Sequence, residues 1–522
     1  MRSRMHTRFS SIVCCAAVLP AAACIGERGP FINRMAQTGT SYLARAARQP
    51  VRWQPWGRDA FALAAKLDRP ILLYIGSDAC RWCAETDRAI YTDPEIGALI
   101  NSLFVPIRVD RDERPDVAQQ YQASVERLAG LRGWPITVFL TADGAPFFGG
   151  TYFPADDPIT GRGLKQLLPE VAKTYRNQRP FIEQQAAALR QLVLTHGAEG
   201  SGESRGVLRP ALVEQGIVAV ARELDEAVRT RAAAGSVMHA AAVSLLLSES
   251  ARSRDTALLV SALRALDLML DTTAGVAGED PPRLVRAALV ASLATAWTVT
   301  GEERYREAGR TLAHRLATEL PPGGSVFVDQ EAYVIERLMV AAATLGEPVV
   351  ERRARAGLDV LLQRTYARGW GVRHATAGMP AAGATTPQGL LQDQVQVAAA
   401  CLAAHQLGGE PRYLDVALDL TAIVERGYAD PLGGYFDVAL PPTDAASAQA
   451  LGDRTKHVFD DVLPGPNAVA ALLLAQLTQV TSDPSYRRRA QAALDAFGGA
   501  MDGAGVRAST FLAAARQTLG KP

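Results

Sequence analysis

The run Ile71-Leu72-Leu73-Tyr74-Ile75-Gly76, followed after three residues by Cys80-Arg81-Trp82-Cys83, constrains this chain more than any other segment. A short, continuous apolar run that starts after Pro70 reads as a strand buried on both faces. The segment from Ala84 to Tyr91 reads as a helix. The two cysteines therefore sit at a strand-to-helix junction. The first turn of a helix leaves N–H groups unpaired and carries a partial positive charge, which favours a thiolate over a thiol. Two intervening residues let the second sulfur reach back and resolve a mixed disulfide. Two other readings stay open, a structural zinc half-site and inert thiols. A closed zinc site needs four ligands, and no second Cys/His pair lies nearby in sequence.

The flanking pattern extends this unit. Asp93-Pro94 restarts a helix through Leu103, and Phe104 to Asp110 alternates as a strand. Pro115 to Leu128 is helical, and Ile136 to Leu140 is a buried strand. Asp143-Gly144 signals a tight hairpin, with Pro146-Phe147-Phe148 pairing back. Helices follow at about 162–176 and 179–195. The order β-α-β-α-β-β-α is that of thioredoxin. Trp134-Pro135, directly before the Ile136 strand, fits the loop whose cis-proline faces the cysteines in such folds. A trans proline opening a strand is the alternative. Gly197 to Ser204 has the composition of a flexible linker. The expected division is a leader over 1–30, a thioredoxin-like domain over 31–196, a linker over 197–208 and a second domain over 209–522.

The second domain is helix-patterned almost throughout. Twelve amphipathic stretches begin near 210, 236, 254, 282, 302, 329, 347, 387, 410, 464, 484 and 506. A turn motif recurs between them. Gly301-Glu302-Glu303-Arg304-Tyr305 heads one helix, Gly409-Glu410-Pro411-Arg412-Tyr413 another, and Ser482-Asp483-Pro484-Ser485-Tyr486 a third. Gly346-Glu347-Pro348 is a weaker copy with Val350 in the tyrosine place. Helices in hairpins at this spacing predict an all-α toroid of six hairpins, with a linear α-solenoid as the alternative.

Bulk properties narrow the function classes. A chain of 522 residues exceeds one core. Its net charge of +1 gives no electrostatic case for nucleic acid. Of six cysteines, Cys14, Cys15 and Cys24 lie in the leader and Cys401 stands alone in a helical segment, so this is no disulfide-stapled scaffold. Arg2, Arg4 and Arg8, the apolar stretch from Ile12 to Leu19, and Ala21-Ala22-Ala23 resemble a secretory signal. Cys24 after those alanines resembles a lipid attachment site. The expectation is export to a periplasm-like compartment or a membrane-anchored lipoprotein. The alternative is a cytoplasmic chain with a disordered extension.

Longer segments carry a family resemblance. They are Pro50-Val51-Arg52-Trp53-Gln54-Pro55-Trp56-Gly57, Cys80-Arg81-Trp82-Cys83, Asp93-Pro94-Glu95-Ile96 and Val109 to Asp116. Gly133-Trp134-Pro135 and Asp143 to Pro154 complete the set. In these the chain resembles the spermatogenesis-associated protein 20 family. The resemblance implies a thioredoxin-like domain joined to a six-hairpin α/α toroid related to sugar-processing enzymes. Leu391-Gln392-Asp393, Gly433 to Asp437 and Pro464 to Asn467 are similar to toroid segments of that family. Arg81 and Ala84 stand where the family usually has histidines.

The candidate residues follow. Cys80 is the expected nucleophile and Cys83 the resolving thiol, with Trp82, Trp134 and Pro135 contacting substrate. Arg81 favours a Cys80 thiolate, while Asp78 and Glu85 oppose it. Asp110, Asp112, Glu113 and Asp116, interleaved with Arg108, Arg111 and Arg114, read as a salt-bridged loop and helix cap. Asp393, Asp437 and His457 are the toroid candidates, beside Asp460 and Asp461. His239, His314, His374 and His405 lack metal spacing, and no metal is expected. Three functions are in play. The first is a thiol–disulfide oxidoreductase without a bound cofactor, acting on protein thiols or disulfides with an electron donor. The second is a glycan-binding or degenerate glycosidase- or epimerase-like toroid with a regulatory redox domain. The third is a non-catalytic scaffold.

Overall fold

The computed structural model describes residues 31–157, 159–160, 163–193, 205–231, 237–275, 281–320, 326–376, 389–439, 454–501 and 503–520. The expected leader with Cys24, and residues 197–204 of the expected linker, lie outside the described residues.

The N-terminal domain runs α1 (Ser41–Arg45), β1 (Gln54–Pro55), α2 (Arg58–Leu67), β2 (Ile71–Gly76), α3 (Arg81–Thr86), α4 (Pro94–Leu103), β3 (Val105–Asp110), α5 (Pro115–Ala129), β4 (Ile136–Leu140), β5 (Pro146–Gly150), α6 (Leu164–Asn177) and α7 (Arg179–Leu192). The sheet order is β1-β3-β2-β4-β5, with β1, β3 and β2 parallel and β4 and β5 antiparallel. Successive side chains on β2 point to opposite faces. Leu72 and Tyr74 join Trp53, Ile96, Ile100 and Leu168 on one face. Ile71, Leu73 and Ile75 join Phe61, Val117, Tyr121 and Val125 on the other. Helices thus cover both faces of a sheet whose central strands are apolar throughout, a thioredoxin-like α/β arrangement. The sequence reading did not contain α1, β1 or α2. A two-residue strand carries no periodicity, and only its pairing with β3 reveals it.

The second domain comprises α8 (Pro210–Arg229), α9 (Val237–Ser253), α10 (Thr256–Gly275), α11 (Arg283–Thr300), α12 (Glu303–Thr318), α13 (Val328–Leu345), α14 (Pro348–Thr365), the hairpin of β6 (Tyr366–Ala367) and β7 (Gly371–Val372), α15 (Leu391–Gly408), α16 (Pro411–Gly427), α17 (Pro466–Thr481), α18 (Pro484–Asp495) and α19 (Ser509–Leu519). Among the described residues, α9, α11, α13, α15, α17 and α19 pack in succession, and α19 returns to pack on α9. The ring is closed, so the fold is an (α/α)6 toroid and the linear solenoid is excluded. Each outer helix lies against its inner partner. The inner helices α11, α13, α15 and α17 are buried around most of their circumference, whereas outer helices such as α12 and α18 bury one stripe.

The recurring turn has a clear cause. Gly301, Gly346 and Gly409 end inner helices at φ of 69°, 76° and 71°, the left-handed region that glycine enters freely. Ser482 takes the same role at φ 58°. After Gly301 and Gly409 the tyrosine that follows is buried, and its hydroxyl reaches the preceding outer helix. Tyr305 donates to Asp267 at 3.0 Å and Tyr413 to Asp359 at 2.9 Å.

Candidate active site

Cys80 is the N-cap of α3, and the Cys83 N–H points at its sulfur at 3.1 Å. That N–H is one of the donors a helix start leaves free, and it favours a negative charge on Cys80 Sγ. The structure joins Cys80 and Cys83 in a disulfide. Their environments differ: Cys83 is fully buried, and Cys80 is half-buried at the rim. Gly76 leaves room for the inner sulfur. A Cβ at that position would stand 2.9 Å from Cys83 Sγ and closer still to the Tyr42 hydroxyl.

Strand register brings the other elements to the same sheet edge. Ile75 pairs with Ile136, so Pro135 follows on beside Gly76, and the Trp134–Pro135 bond is cis. Asp110 pairs with Gly76 on the opposite side of β2, and the Arg111 N–H donates to the Gly76 carbonyl at 2.7 Å. The Arg111 guanidinium then lies 5.6 Å from the centre of the Trp134 ring. Trp82 is 66% exposed beside the disulfide. Trp53 and Trp56 are buried, Trp53 against Tyr74 and Tyr91, and Trp56 against Phe61 and Tyr121.

The charged neighbours are largely engaged elsewhere. Asp78 bonds Arg45 and Ser41, and Glu85 bonds Arg88 at 2.5 Å. Both carboxylates that oppose a Cys80 thiolate are therefore partly neutralised, while Arg81 is exposed at the helix start. Arg108 is buried between the Tyr42 ring, 4.2 Å away, and the Tyr74 ring, 5.0 Å away. It grips Asp87 with two bonds of 2.7 and 2.6 Å and so ties the turn after α3 to β3. Arg111 pairs with Asp112 at 2.8 Å and Arg114 with Asp116 at 2.6 Å, as a salt-bridged loop requires. Burial and the neighbouring Asp112 charge push the Asp110 carboxyl well above the usual range.

The toroid candidates divide. Asp437 accepts from Thr455 at 2.9 Å, bonds the His457 ring, and lines a cleft between the domains together with Trp134 and Asp461. Asp393 is fully buried and belongs to a different cluster. It accepts from the Leu390 N–H at 2.7 Å, the Asp329 N–H at 3.1 Å and His374 Nδ1 at 2.9 Å. Asp460 is buried, accepting from Gly465 N–H at 3.0 Å and Thr510 N–H at 2.9 Å.

The sequence reading set His374 aside among scattered histidines, and that reading is corrected. His374 Nε2 meets the Asp112 carbonyl at 2.8 Å, across the domain boundary. Ligand-capable atoms of Asp329, His374 and Asp393 all lie within 4.8 Å of one another. The bonding decides what the ring can do. A carbonyl only accepts, so Nε2 carries a proton, and Nδ1 carries the other toward the Asp393 carboxylate. Burial disfavours this imidazolium, but Asp393 and Asp329 outweigh it and hold the ring's pKa up to about 10. A metal at this cluster would have to displace one of the ring protons. No sequence signal marks the cluster, because His374 and Asp112 are 262 positions apart.

Comparison with known proteins agrees with the N-terminal half of this picture. Residues 32–194 match the family model Thioredox_DsbH, described as "Protein of unknown function, DUF255". Rat spermatogenesis-associated protein 20 is 39% identical over 152 residues, which is 29% of this chain and 19% of the relative. An uncharacterized protein of Caenorhabditis elegans is 36% identical over 170 residues, 33% of this chain and 23% of the relative. The matches thus span about a fifth of the length of those relatives. Among solved structures, an unsaturated glucuronyl hydrolase specific for heparin aligns with a TM-score of 0.41 at 15% identity, covering 56% of this chain and 85% of its own. A family 105 glycoside hydrolase of C. acetobutylicum aligns with a TM-score of 0.43 at 10% identity, covering 56% and 82%. Over residues 32–194 the chain is similar to the Thioredox_DsbH family model and to spermatogenesis-associated protein 20.

Proposed function

We propose that this chain is a thiol–disulfide oxidoreductase working through Cys80 and Cys83, with the toroid forming part of its substrate or partner surface. The observation that carries the reading is the pairing of a half-exposed sulfur at a helix start with a buried one beside a cis-proline loop. In the reducing direction, Cys80 thiolate attacks a substrate disulfide and forms a mixed disulfide. Cys83, once deprotonated, attacks Cys80 Sγ, releases the substrate thiolate and closes the internal disulfide. In the reverse direction a substrate thiolate opens the internal disulfide at Cys80. The electron donor is a further thiol or dithiol. The basic and apolar leader, with Ala21 to Ala23, supports export, and Cys24 is the proposed lipid attachment point. No described helix is long and apolar enough to cross a membrane.

The test is turnover of a disulfide substrate by native protein and by Cys80→Ser. The variant is expected to lose exchange by at least about a hundredfold, as removal of an attacking thiolate requires. Retention of full turnover in Cys80→Ser would sink the assignment. A potential near about −270 mV would mark a reductase and one near about −120 mV a disulfide donor.

A further inference from the structure

We propose that Tyr42 is a further catalytic residue of the disulfide site: its hydroxyl waits without a partner while Cys80 and Cys83 are joined, and donates to Cys83 Sγ when that bond opens. The proposal rests on the oxidoreductase reading and adds a residue to that same site.

Tyr42 lies in α1, ahead of the first strand, and belongs to none of the sequence segments that point to the cysteines. The fold brings it beneath them. Asp78, in the turn that leads to Cys80, bonds both Ser41 and Arg45, the first and last residues of α1. The helix is thereby pinned beside the redox turn. The Tyr42 ring enters the same side of the sheet as Cys83, Tyr74 and Trp53, and the residue is 1% exposed. The Arg108 guanidinium lies 4.2 Å from the ring centre and is itself held by two bonds to Asp87.

So placed, the Tyr42 oxygen meets the inner sulfur. A Cβ on Gly76 would stand 2.9 Å from Cys83 Sγ, 3.1 Å from Tyr42 Cζ and nearer still to the Tyr42 oxygen. Glycine puts no side chain between the two. The hydroxyl is buried with no hydrogen-bond partner among the described residues, a costly state for a donor. The neighbouring Tyr74 hydroxyl donates instead to the Cys83 carbonyl at 3.4 Å. The sulfur has the complementary need. Cys83 is fully buried among apolar and aromatic side chains, where a thiolate is strongly disfavoured unless a donor reaches it. Its own N–H is turned toward Cys80 Sγ. While the disulfide is closed, Cys83 Sγ is a weak acceptor. Opening the disulfide puts a charge on that sulfur and frees it to rotate toward the hydroxyl.

The step balances without another reagent. A substrate thiolate attacks Cys80 Sγ and forms the mixed disulfide. The Cys80–Cys83 bond breaks, and its electron pair leaves on Cys83 Sγ. Tyr42 donates a hydrogen bond to this thiolate and keeps its proton. Burial raises the phenol well above its ordinary value, with Asp87 and Asp110 adding to the rise and Arg108 and Tyr74 opposing it. In the other direction the Cys83 thiolate attacks Cys80 Sγ, the substrate thiolate leaves, and Tyr42 gives up the bond.

The experiment is a redox titration of the full chain against reduced and oxidised glutathione, read by alkylation and mass spectrometry of Cys80 and Cys83. It compares native protein with Tyr42→Phe and Tyr91→Phe. Tyr42→Phe keeps the ring and removes only the oxygen. It is expected to shift the equilibrium about tenfold toward the disulfide, a potential about 30 mV more negative, as loss of one hydrogen bond to a charged sulfur requires. The shift should grow as pH rises through the Cys83 titration, because a thiolate accepts the bond more strongly than a thiol. Tyr91→Phe removes a hydroxyl of the same core, one that meets Thr137 at 3.4 Å, and should keep the native potential. Oxidised Tyr42→Phe should unfold thermally with oxidised native protein, since the hydroxyl makes no bond in that state. A native potential in Tyr42→Phe, or an equal shift in both variants, overturns the assignment. So does loss of the oxidised fold in Tyr42→Phe, which would mean that the hydroxyl is already bonded there. A native protein with no reversible transition overturns the oxidoreductase reading itself.

Discussion

Gly76 sits where β2, the buried sulfur and the Tyr42 hydroxyl converge, and any side chain there must displace one of them. Gly76→Ala is expected to cost about 1–3 kcal/mol, as overpacking of a tight interior does. The oxidised form should suffer more, because the disulfide holds Cys83 Sγ in place while a free thiol can rotate away. Denaturant unfolding of oxidised and reduced protein measures both, and equal midpoints for native and variant would refute the packing argument. Residue-scale chemistry was unevenly legible. The C-x-x-C declared itself because its spacing and its place after an apolar run are local facts. The engagement of Asp78 by Arg45, and the burial of Arg108 among aromatic rings, were not legible. A charged residue on a strand looks the same in sequence whether it faces water or a tyrosine.

At the scale of elements, the toroid is built by repetition. The inner helices α11, α13, α15 and α17 each end in a left-handed residue and turn into an outer helix, and in two of these turns a first-turn tyrosine, Tyr305 or Tyr413, reaches back to an acid one hairpin earlier. The acid is part of the repeat although it lies over 35 positions away, with separations of 38 for Tyr305 and 54 for Tyr413. Tyr413→Phe is expected to cost about 1 kcal/mol, the usual net worth of one hydrogen bond to a partly solvated partner. Tyr486 is half-buried, and its hydroxyl has no such bond among the described residues, so Tyr486→Phe should be neutral. Thermal unfolding of both variants separates the cases. An equal loss in both would mean that ring packing alone carries the motif. The twelve helices were legible because a 3.6-residue apolar period and a glycine stop are properties of short windows. β1 was not, since it exists only as a partner of β3.

At the scale of the molecule, His374 ties the toroid to the loop that leads from Asp110 through Arg111 to Trp134. His374→Ala removes one partner of a buried ion pair and is expected to cost about 3–5 kcal/mol. Its pH dependence has a definite sign. The folded pKa is raised to about 10 from an ordinary value of 6.5, so the stabilisation is complete below about 6.5 and is lost as pH rises toward 10. Asp329, its carboxyl raised by burial, acts in the same sense at lower pH. Asp116 and Glu113, which also feel the His374 charge, lose that attraction over the same alkaline range. Chemical denaturation between pH 6 and 10 should show a decline that His374→Ala flattens. A native profile parallel to that of the variant would refute the imidazolium assignment. By itself the sequence determined what neighbouring residues decide among themselves: a strand running into a cysteine-capped helix, a proline before the next strand, and a succession of helical hairpins. The tertiary structure alone decided that the hairpins close into a ring, that His374 meets Asp112, and that Arg111 faces Asp461 across a cleft. Local periodicity specifies which face of an element is apolar. It does not specify which distant element covers that face, because burial is satisfied equally by any partner of the right shape, and only the packing of the whole chain makes the choice.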